Sequence, residues 1–292
     1  MYLIRFCLSL VFRKHVICRV DYFTLDFKMI SNLFPGMSSP ETPPALQFIC
    51  IECEHPASKL FSVYEKSGNI KVEKCPRCNK VIDKYIEYDV TICLLDLLLL
   101  NTSVWRHVIF NVNFNSLLWK LAIVGMICDG YKAWIELTSL NTKDEDTVFY
   151  AAKQIELYIF SVIAGSQLLV FLLLVLLITE FVFALRKWLP MEIVSYQFRT
   201  PRRIVQSLLI ANCTKLLYVP AIIWPHYSNH AFMLLLMTYV KICYALALQQ
   251  IVKYPYLLCL FTVFIAHTAS GVINSPLSTL IQSLSSYAFY SA

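Results

Sequence analysis

The stretch over residues 157–185 is predominantly apolar and exceeds the roughly 20 residues that an α-helix needs to cross a bilayer. Its centre, residues 168–177, contains no polar side chain. The whole chain agrees with this assignment, because 58% of its 292 residues are hydrophobic and 15% are charged. Such a composition is typical of membrane proteins. We therefore expect a mainly α-helical, integral multi-pass membrane protein.

Three further segments are apolar and long enough to span a bilayer, at residues 205–224, 232–252 and 256–273. A fifth segment, residues 117–137, contains Lys120, Asp129 and Lys132. Because a charge at mid-bilayer costs roughly 2.5–3.5 kcal/mol, we expect Asp129 to lie near a helix end or to be paired. The sequence thus predicts about five transmembrane helices.

Two Cys-x-x-Cys pairs precede these segments, Cys50 with Cys53 and Cys75 with Cys78. Four thiolates at this spacing can close a tetrahedral shell around Zn²⁺, and a closed shell leaves no position for water or substrate. The predicted site is therefore a structural zinc centre. Iron also accepts four thiolates, and four reduced cysteines without metal are a further alternative.

The residues between and after the two pairs suit a zinc ribbon. Residues 59–64 and 70–74 are predicted strands, joined by a turn at residues 65–69. Residues 80–89 alternate between apolar and polar side chains, which predicts a third strand that completes the sheet. Residues 91–100 are apolar but too few for a span, so we expect a buried or interfacial helix there.

These features divide the chain into three parts. Residues 1–45 are expected to be a disordered or dispensable extension, because residues 37–44 are polar, rich in proline and similar to a cytosolic N-terminus that begins at Met37. Residues 46–111 are predicted to form a small β-rich zinc-ribbon domain with a following amphipathic segment. Residues 112–292 are predicted to form the transmembrane helical domain.

The charges of the loops predict the orientation in the membrane. The loop after residue 185 is basic and contains Arg186, Lys187, Arg199, Arg202 and Arg203, whereas the loop near residues 141–156 is rich in acidic residues. Basic loops are typically cytosolic, and two predicted spans separate this loop from the cysteines, so we expect a cytosolic zinc ribbon. A reducing cytosol also favours metal-binding cysteines over disulfides.

The sequence shows no recognisable catalytic constellation. It has no P-loop, no Gly-x-Gly-x-x-Gly motif and no His-Glu-x-x-His motif. His107 and His267 are the candidate acid–base groups, and neither has an evident partner in the sequence. Lys215 and Lys241 either bond neighbouring helices or line a polar path for a lipid headgroup. We expect no enzymatic activity and, because the basic residues are scattered among apolar segments, no nucleic-acid partner.

Several short motifs around the cysteines match a known family. They are Cys50-Ile51-Glu52-Cys53, Leu60-Phe61, Gly68-Asn69-Ile70, Cys75-Pro76-Arg77-Cys78, Asp83-Lys84-Tyr85-Ile86-Glu87, Arg106-His107 and Phe110-Asn111. Over about residues 46–111 the chain resembles the Arv-type membrane proteins of sterol homeostasis in the endoplasmic reticulum. That family usually has glycine after the second cysteine, where this chain has Glu54, so the backbone geometry there is a point of departure.

The resemblance implies a location and a function. It implies a multi-pass protein of the endoplasmic-reticulum membrane that acts in intracellular sterol and lipid transport and distribution. Linked effects on sphingolipid metabolism and on glycosylphosphatidylinositol precursors are implied as well, and these membrane lipids are the implied partners. Two alternatives stay open, namely a membrane-anchored scaffold that recruits lipid-synthesis enzymes and a membrane acyltransferase-like enzyme.

Overall fold

The computed structural model describes residues 48–63, 70–112, 118–140, 150–185, 200–223 and 230–290. It divides the chain into two compact units, with the boundary between Asn115 and Ser116. The predicted N-terminal extension, the turn at residues 65–69, the acidic loop at 141–149 and the basic loop at 186–199 lie outside the described residues.

Short antiparallel strand pairs form the β-structure of the first unit. Strand β1 (Phe48–Ile49) pairs with β2 (Pro56–Ala57), and β3 (Phe61–Val63) pairs with β4 (Ile70–Val72). The two strands predicted between the cysteine pairs are confirmed as β3 and β4. The β1–β2 pair was not predicted, because strands of two residues are too short to show an alternating pattern.

The third predicted strand, residues 80–89, is wrong beyond Val81. Val81 makes one antiparallel bridge to Lys74, and the chain then forms a 3₁₀-helix at Lys84–Ile86. The Asp83 side chain accepts a hydrogen bond from the Tyr85 backbone N–H at 3.0 Å and so begins this helix. A local hydrogen bond between a side chain and the backbone thus replaces the strand that the alternating pattern indicated.

Two helices follow the strands in the first unit, α1 (Val90–Leu98) and α2 (Thr102–Arg106), and α2 continues as a π-helical turn at His107–Asn111. The chain bends by 116° between α1 and the segment that α2 begins. Helix α1 leaves apolar side chains exposed, namely Ile92, Leu95 and Leu98, and Leu99 follows them. We expected a buried or interfacial helix in this stretch, and the exposed apolar side chains are compatible with an interfacial one.

The second unit consists of helices in its described part. They are α3 (Leu118–Leu140), α4 (Tyr150–Leu185), α5 (Pro201–Asn212), α6 (Tyr218–Ile223), α7 (His230–Val252) and α8 (Tyr256–Tyr290), with a 3₁₀ turn at Cys213–Leu217. Helix α4 packs against α3 and α8, and α7 packs against α5 and α8. The Thr200 hydroxyl accepts from the Arg203 N–H at 3.3 Å, and Pro201 follows it, so α5 has a capped start.

Four helical segments of the described chain are long and apolar enough to cross a membrane, namely Glu156–Leu185, Pro201–Ile222, Ala231–Val252 and Tyr256–Pro276. They match the four clearest predicted spans, so the predicted multi-pass helical architecture is confirmed. Helices α1 and α2 add a fifth candidate if they form one broken span. The least apolar predicted span, residues 117–137, is a helix, but it is not among the four.

Polar side chains of the second unit bond neighbouring helices. The Lys215 ammonium donates to Asp129 Oδ2 at 2.5 Å, which confirms that Asp129 is paired. Asn212 is fully buried, donates to the Leu121 carbonyl at 3.1 Å and accepts from the Tyr244 hydroxyl at 2.6 Å. These contacts connect α3 to α5 and to the 3₁₀ turn, and α5 to α7. They satisfy groups that would be costly to leave unpaired in an apolar bundle.

Helices α3 and α4 approach each other closely at Gly130. A Cβ atom at this position would lie 2.7 Å from Ser161 Cα, well inside van der Waals contact. We expect Gly130→Ala to push the two helices apart and to lower the free energy of unfolding by about 1–3 kcal/mol. Thermal unfolding of the purified full-length protein in detergent measures this loss.

Gly271 provides the matched control, because it also lies inside a helix of the same unit. A Cβ there would meet Gln167 Nε2 at 3.8 Å, which is ordinary contact. Gly271→Ala should keep or raise the unfolding temperature, since alanine favours helix. Equal losses in both variants would contradict the close approach of α3 and α4.

Candidate metal centre

The four cysteines of the two Cys-x-x-Cys pairs lie together in the first unit. Their sulfur atoms all lie within 4.8 Å of one another. Cys50 Sγ is 3.7 Å from Cys78 Sγ, and Cys53 Sγ is 3.5 Å from Cys75 Sγ. Zn–S bonds of about 2.3 Å in a tetrahedron place sulfur atoms about 3.8 Å apart. The arrangement is therefore compatible with a structural zinc ion, and all four cysteines are free of disulfides.

Both cysteine pairs have the same backbone turn. The Glu54 N–H donates to the Cys50 carbonyl at 2.8 Å, and the Asn79 N–H donates to the Cys75 carbonyl at 2.9 Å. Glu54 and Asn79 both have positive φ angles, of 62° and 59°. Glycine adopts positive φ without strain, so the glycine that the family resemblance implies at position 54 would fit this turn, and asparagine tolerates the same conformation at the second turn.

The environment of the thiols differs between the two pairs. Burial raises the pKa of the Cys50 thiol to about 12. Burial also acts to raise the pKa of Cys75, but the backbone N–H groups of Cys78 and Arg77 donate to its sulfur and bring that pKa down to about 7. A thiolate at Cys50 therefore needs a nearby cation at neutral pH, and a divalent metal ion is such a cation.

Arg106 of α2 holds the first turn of the cluster. One guanidinium nitrogen donates to the carbonyls of Ile51 and Glu52, at 2.9 and 3.2 Å, and the other lies 2.8 Å from the Glu54 carboxylate. These contacts orient the backbone between Cys50 and Cys53. Glu54, which stands where the family resemblance implies glycine, therefore contributes an ion pair to Arg106 that glycine could not form.

The buried Asp83 carboxylate joins the strands to the helix that follows them. Its Oδ2 atom lies 2.6 Å from His107 Nδ1 and accepts from Asn111 Nδ2 at 2.7 Å, and its Oδ1 accepts from the Tyr85 N–H. The Asn111 amide also pairs with both backbone groups of Ile49 in β1, at 3.0 Å each. His107 is therefore a buried structural contact, and the sequence did not indicate its depth.

Tyr85 extends this network to α1. Its hydroxyl donates to Asp96 Oδ2 at 2.6 Å. Burial, with the Asp96 carboxylate as the second cause, holds the pKa of Tyr85 well above its usual value, so the phenol keeps its proton and stays a donor. The roles of Arg106, Asp83 and Asn111 were missed from the sequence. Their presence in the motifs that carry the family resemblance was the available signal.

In the second unit, the structure brings together polar residues that the sequence singled out separately. Asp129, Lys215, Lys241 and His267 line a single cavity, although they come from four different segments of the chain. The His267 ring packs edge-on against Phe171, with ring centres 6.2 Å apart. Spacing along the sequence could not have predicted this assembly, because it depends on how the helices pack.

Taken together, the two units define a membrane protein with several spans and a small N-terminal four-cysteine domain. Comparison with known proteins gives the particular family, because a model of the Arv1-like family matches residues 49–248. The chain belongs to the Arv1-like family. This result confirms the resemblance that the motifs around the cysteines indicated.

Several relatives show how far the similarity extends. The chain is 33% identical to Protein ARV1 of Homo sapiens over 183 residues, which are 62% of this chain and 63% of the human protein. It is 27% identical to Protein ARV 2 of Arabidopsis thaliana over 231 residues, which are 77% of this chain and 92% of that protein. The similarity to Protein ARV1 of Saccharomyces cerevisiae, 41%, covers 63 residues, or 22% of this chain and 19% of the yeast protein. No solved structure matches the chain.

The Asp83 network predicts the behaviour of one conservative substitution. In Asp83→Asn, an amide NH₂ replaces one carboxylate oxygen and faces donors, so a buried donor is left without an acceptor, at a cost of about 1–3 kcal/mol. The first unit should then open more often. Limited proteolysis of the full-length protein, with cleavage sites mapped by mass spectrometry, should show faster cutting within residues 48–112.

Asp89→Asn is the control for this substitution. Asp89 is exposed, and its side chain makes no capping hydrogen bond to α1. This variant should be cut at the rate of the unaltered protein. Equal protection of the two variants would show that the Asp83 carboxylate does not stabilise the first unit.

Proposed function

We propose that this protein acts in sterol homeostasis, as a multi-pass protein of the endoplasmic-reticulum membrane that takes part in the transport and distribution of sterols and other lipids. Membership of the Arv1-like family carries the proposal, because the matched region, residues 49–248, includes both the cysteine cluster and most of the spanning helices. Linked effects on sphingolipid metabolism and on glycosylphosphatidylinositol precursors belong to the same proposal, with these lipids as the partners.

The first unit is proposed to be a cytosolic zinc domain that has a structural role. Cys50, Cys53, Cys75 and Cys78 would supply all four ligands of Zn²⁺, so the ion would have no position left for a substrate. The sulfur separations and the Arg106 contacts support this assignment. Metal binding of this kind contributes directly to folding, which suits a unit with few and short strands.

Lipid handling is then assigned to the helical unit. A saturated metal shell offers no Lewis-acid chemistry. Of the two histidines considered from the sequence, His107 is bonded to Asp83, and His267 lines the cavity of the helical unit with its ring against Phe171. The proposal is therefore a non-enzymatic role for the chain. The helical segments that can span a membrane provide the surface along which lipids would move.

Zinc content tests the assignment of the cysteines. The purified full-length protein should hold one zinc ion per chain, measured by atomic emission together with protein concentration. Cys75→Ser should reduce this to near zero, because three thiolates and a hydroxyl bind zinc far more weakly than four thiolates. Iron in the unaltered protein would replace zinc in the proposal.

Cys213→Ser controls for the loss of a thiol as such. Cys213 lies in the 3₁₀ turn of the helical unit and is not one of the four clustered cysteines. This variant should keep its full zinc content. Loss of zinc from both variants, or retention by both, would refute the assignment.

Lipid transfer by the reconstituted protein tests the function. Liposomes that contain the purified full-length protein should exchange a fluorescent sterol with acceptor liposomes faster than protein-free liposomes do. The Cys75→Ser protein should lose this activity in proportion to its loss of folded first unit. Absence of transfer of both sterol and glycolipid, together with co-purification of a lipid-synthesising enzyme, would favour the scaffold instead.

A further inference from the structure

A cavity of about 170 Å³ lies within the helical unit. Side chains from α3, α4, α7, α8 and the segment around Lys215 line it. Its volume is below the roughly 300–1,000 Å³ of pockets that enclose drug-sized molecules. The cavity therefore suits a compact group, such as the headgroup of a lipid, and is too small for a four-ring sterol.

The charges around this cavity are unbalanced. Three lysines line it, Lys132, Lys215 and Lys241, together with the carboxylate of Asp129. Three cations and one anion give the lining an excess of two positive charges, and the nearest further carboxylate that the structure records, Glu136 at 3.9 Å from Lys132, is not part of the lining. Each charge among apolar helices costs roughly 2.5–3.5 kcal/mol on the insertion scale, so an excess of this sign favours an anion as occupant.

Among the described residues, one of the three lysines has a carboxylate at hydrogen-bonding distance and the other two do not. Lys215 pairs with Asp129 at 2.5 Å, which is a structural ion pair between helices. Lys132 lies 3.8 Å from Met237 Sδ and 5.5 Å from the centre of the Tyr218 ring. It is also 3.9 Å from the half-exposed Glu136 carboxylate, a distance at which ion pairs contribute little. For Lys241, the Phe264 ring, 5.0 Å from its ammonium, is the contact seen among the described residues, and no carboxylate there lies within 4 Å.

The position of Lys241 also suggests how a ligand would enter. Its ammonium lies over the Phe264 ring, and Phe264 is 51% exposed on the outer face of α8. In a bundle that spans a membrane, that face is turned to lipid. One wall of the cavity is therefore close to the lipid-facing surface, where a headgroup could enter from the side.

We propose that this cavity binds a phosphate monoester group, with Lys132 and Lys241 as its cationic contacts and Lys215, held by Asp129, as a fixed charge beside them. A phosphate monoester carries about −1.5 to −2 charges at neutral pH, which matches the excess of two positive charges. Lysine is a common phosphate ligand because its ammonium offers a compact charge and three donors. The Gln167 amide and the His267 imidazole line the same space and add groups that can donate to phosphate oxygens.

Binding to the full-length protein in uncharged sugar detergent tests the proposal. The probes are dihexanoyl phosphatidic acid, inorganic phosphate and dihexanoylglycerol, which has the same acyl chains without phosphate, and calorimetry measures their affinities. We expect phosphatidic acid to bind and dihexanoylglycerol not to bind. Competition by inorganic phosphate would identify a general phosphate site, and absence of competition would identify a site for the lipid headgroup.

Substitutions locate the site and keep the test independent of folding. Lys241→Gln should weaken phosphatidic-acid binding by about ten- to a hundredfold, the effect of one lost charge-assisted hydrogen bond, and Lys241→Arg should retain most of it. Lys132→Gln should weaken phosphatidic-acid binding as well. It provides the test if Lys241→Gln does not fold. Lys120→Gln is the control, because Lys120 is on the same helix as Lys132 but contacts the exposed Trp119 ring outside the cavity.

Two outcomes would overturn the proposal. The first is that neither phosphatidic acid nor inorganic phosphate binds, which would mean that the cavity has no phosphate ligand. The second is that Lys120→Gln weakens binding as much as Lys241→Gln does, which would place the anion at the protein surface. Failure of sterol transfer would not affect this inference, because the binding assay contains no sterol.

Discussion

The first unit depends on one buried carboxylate. Asp83 is fully buried and receives donors from three places, the 3₁₀-helix that it begins, His107 and Asn111. A charge in such a position is stable only when its hydrogen bonds are all made, so each of the three partners is fixed in turn. The Asn111 side chain in turn forms two hydrogen bonds with the backbone of Ile49 in β1, the residue directly before Cys50, and so fixes its position. The first metal-ligand turn is thus positioned by a residue more than twenty positions further along the chain.

This dependence explains which parts of the site could be predicted. The spacing of the cysteines predicts that four thiols meet, because two Cys-x-x-Cys turns joined by a hairpin have few other arrangements. The alternating pattern at residues 80–89 led to a wrong strand, because it placed Asp83 on an ordinary polar position of a sheet. The polar residue faces the core instead and ends the strand after Val81. Periodicity records which side chains alternate, but not whether a polar one is buried with partners.

In the helical unit, too, some features could be predicted from the sequence and others could not. Hydropathy alone predicted the four segments that can span a membrane, since a bilayer requires length and apolar composition and little else. Whether residues 117–137 span the membrane was harder to predict, because their length is sufficient for a span but their charged side chains disfavour one. In the structure, α3 forms the predicted helix, and Lys215 from a later segment pairs with Asp129. A hydropathy value includes the cost of placing Asp129 in the bilayer, but it does not include the ion pair with Lys215 that lowers this cost.

The Asp83 network and the cavity of the helical unit differ in how their charged groups are paired. Around Asp83 every carboxylate oxygen has a donor, and Arg106 uses its nitrogens on two carbonyls and on Glu54. These bonds hold the first unit together, and they leave His107 Nε2 as a buried ring nitrogen without a hydrogen-bond partner among the described residues. Around the cavity, Lys215 has Asp129, while Lys241 has an aromatic ring and no carboxylate within 4 Å among the described residues. An incompletely balanced charge inside apolar helices destabilises the bundle, so an anionic ligand in the cavity would stabilise it.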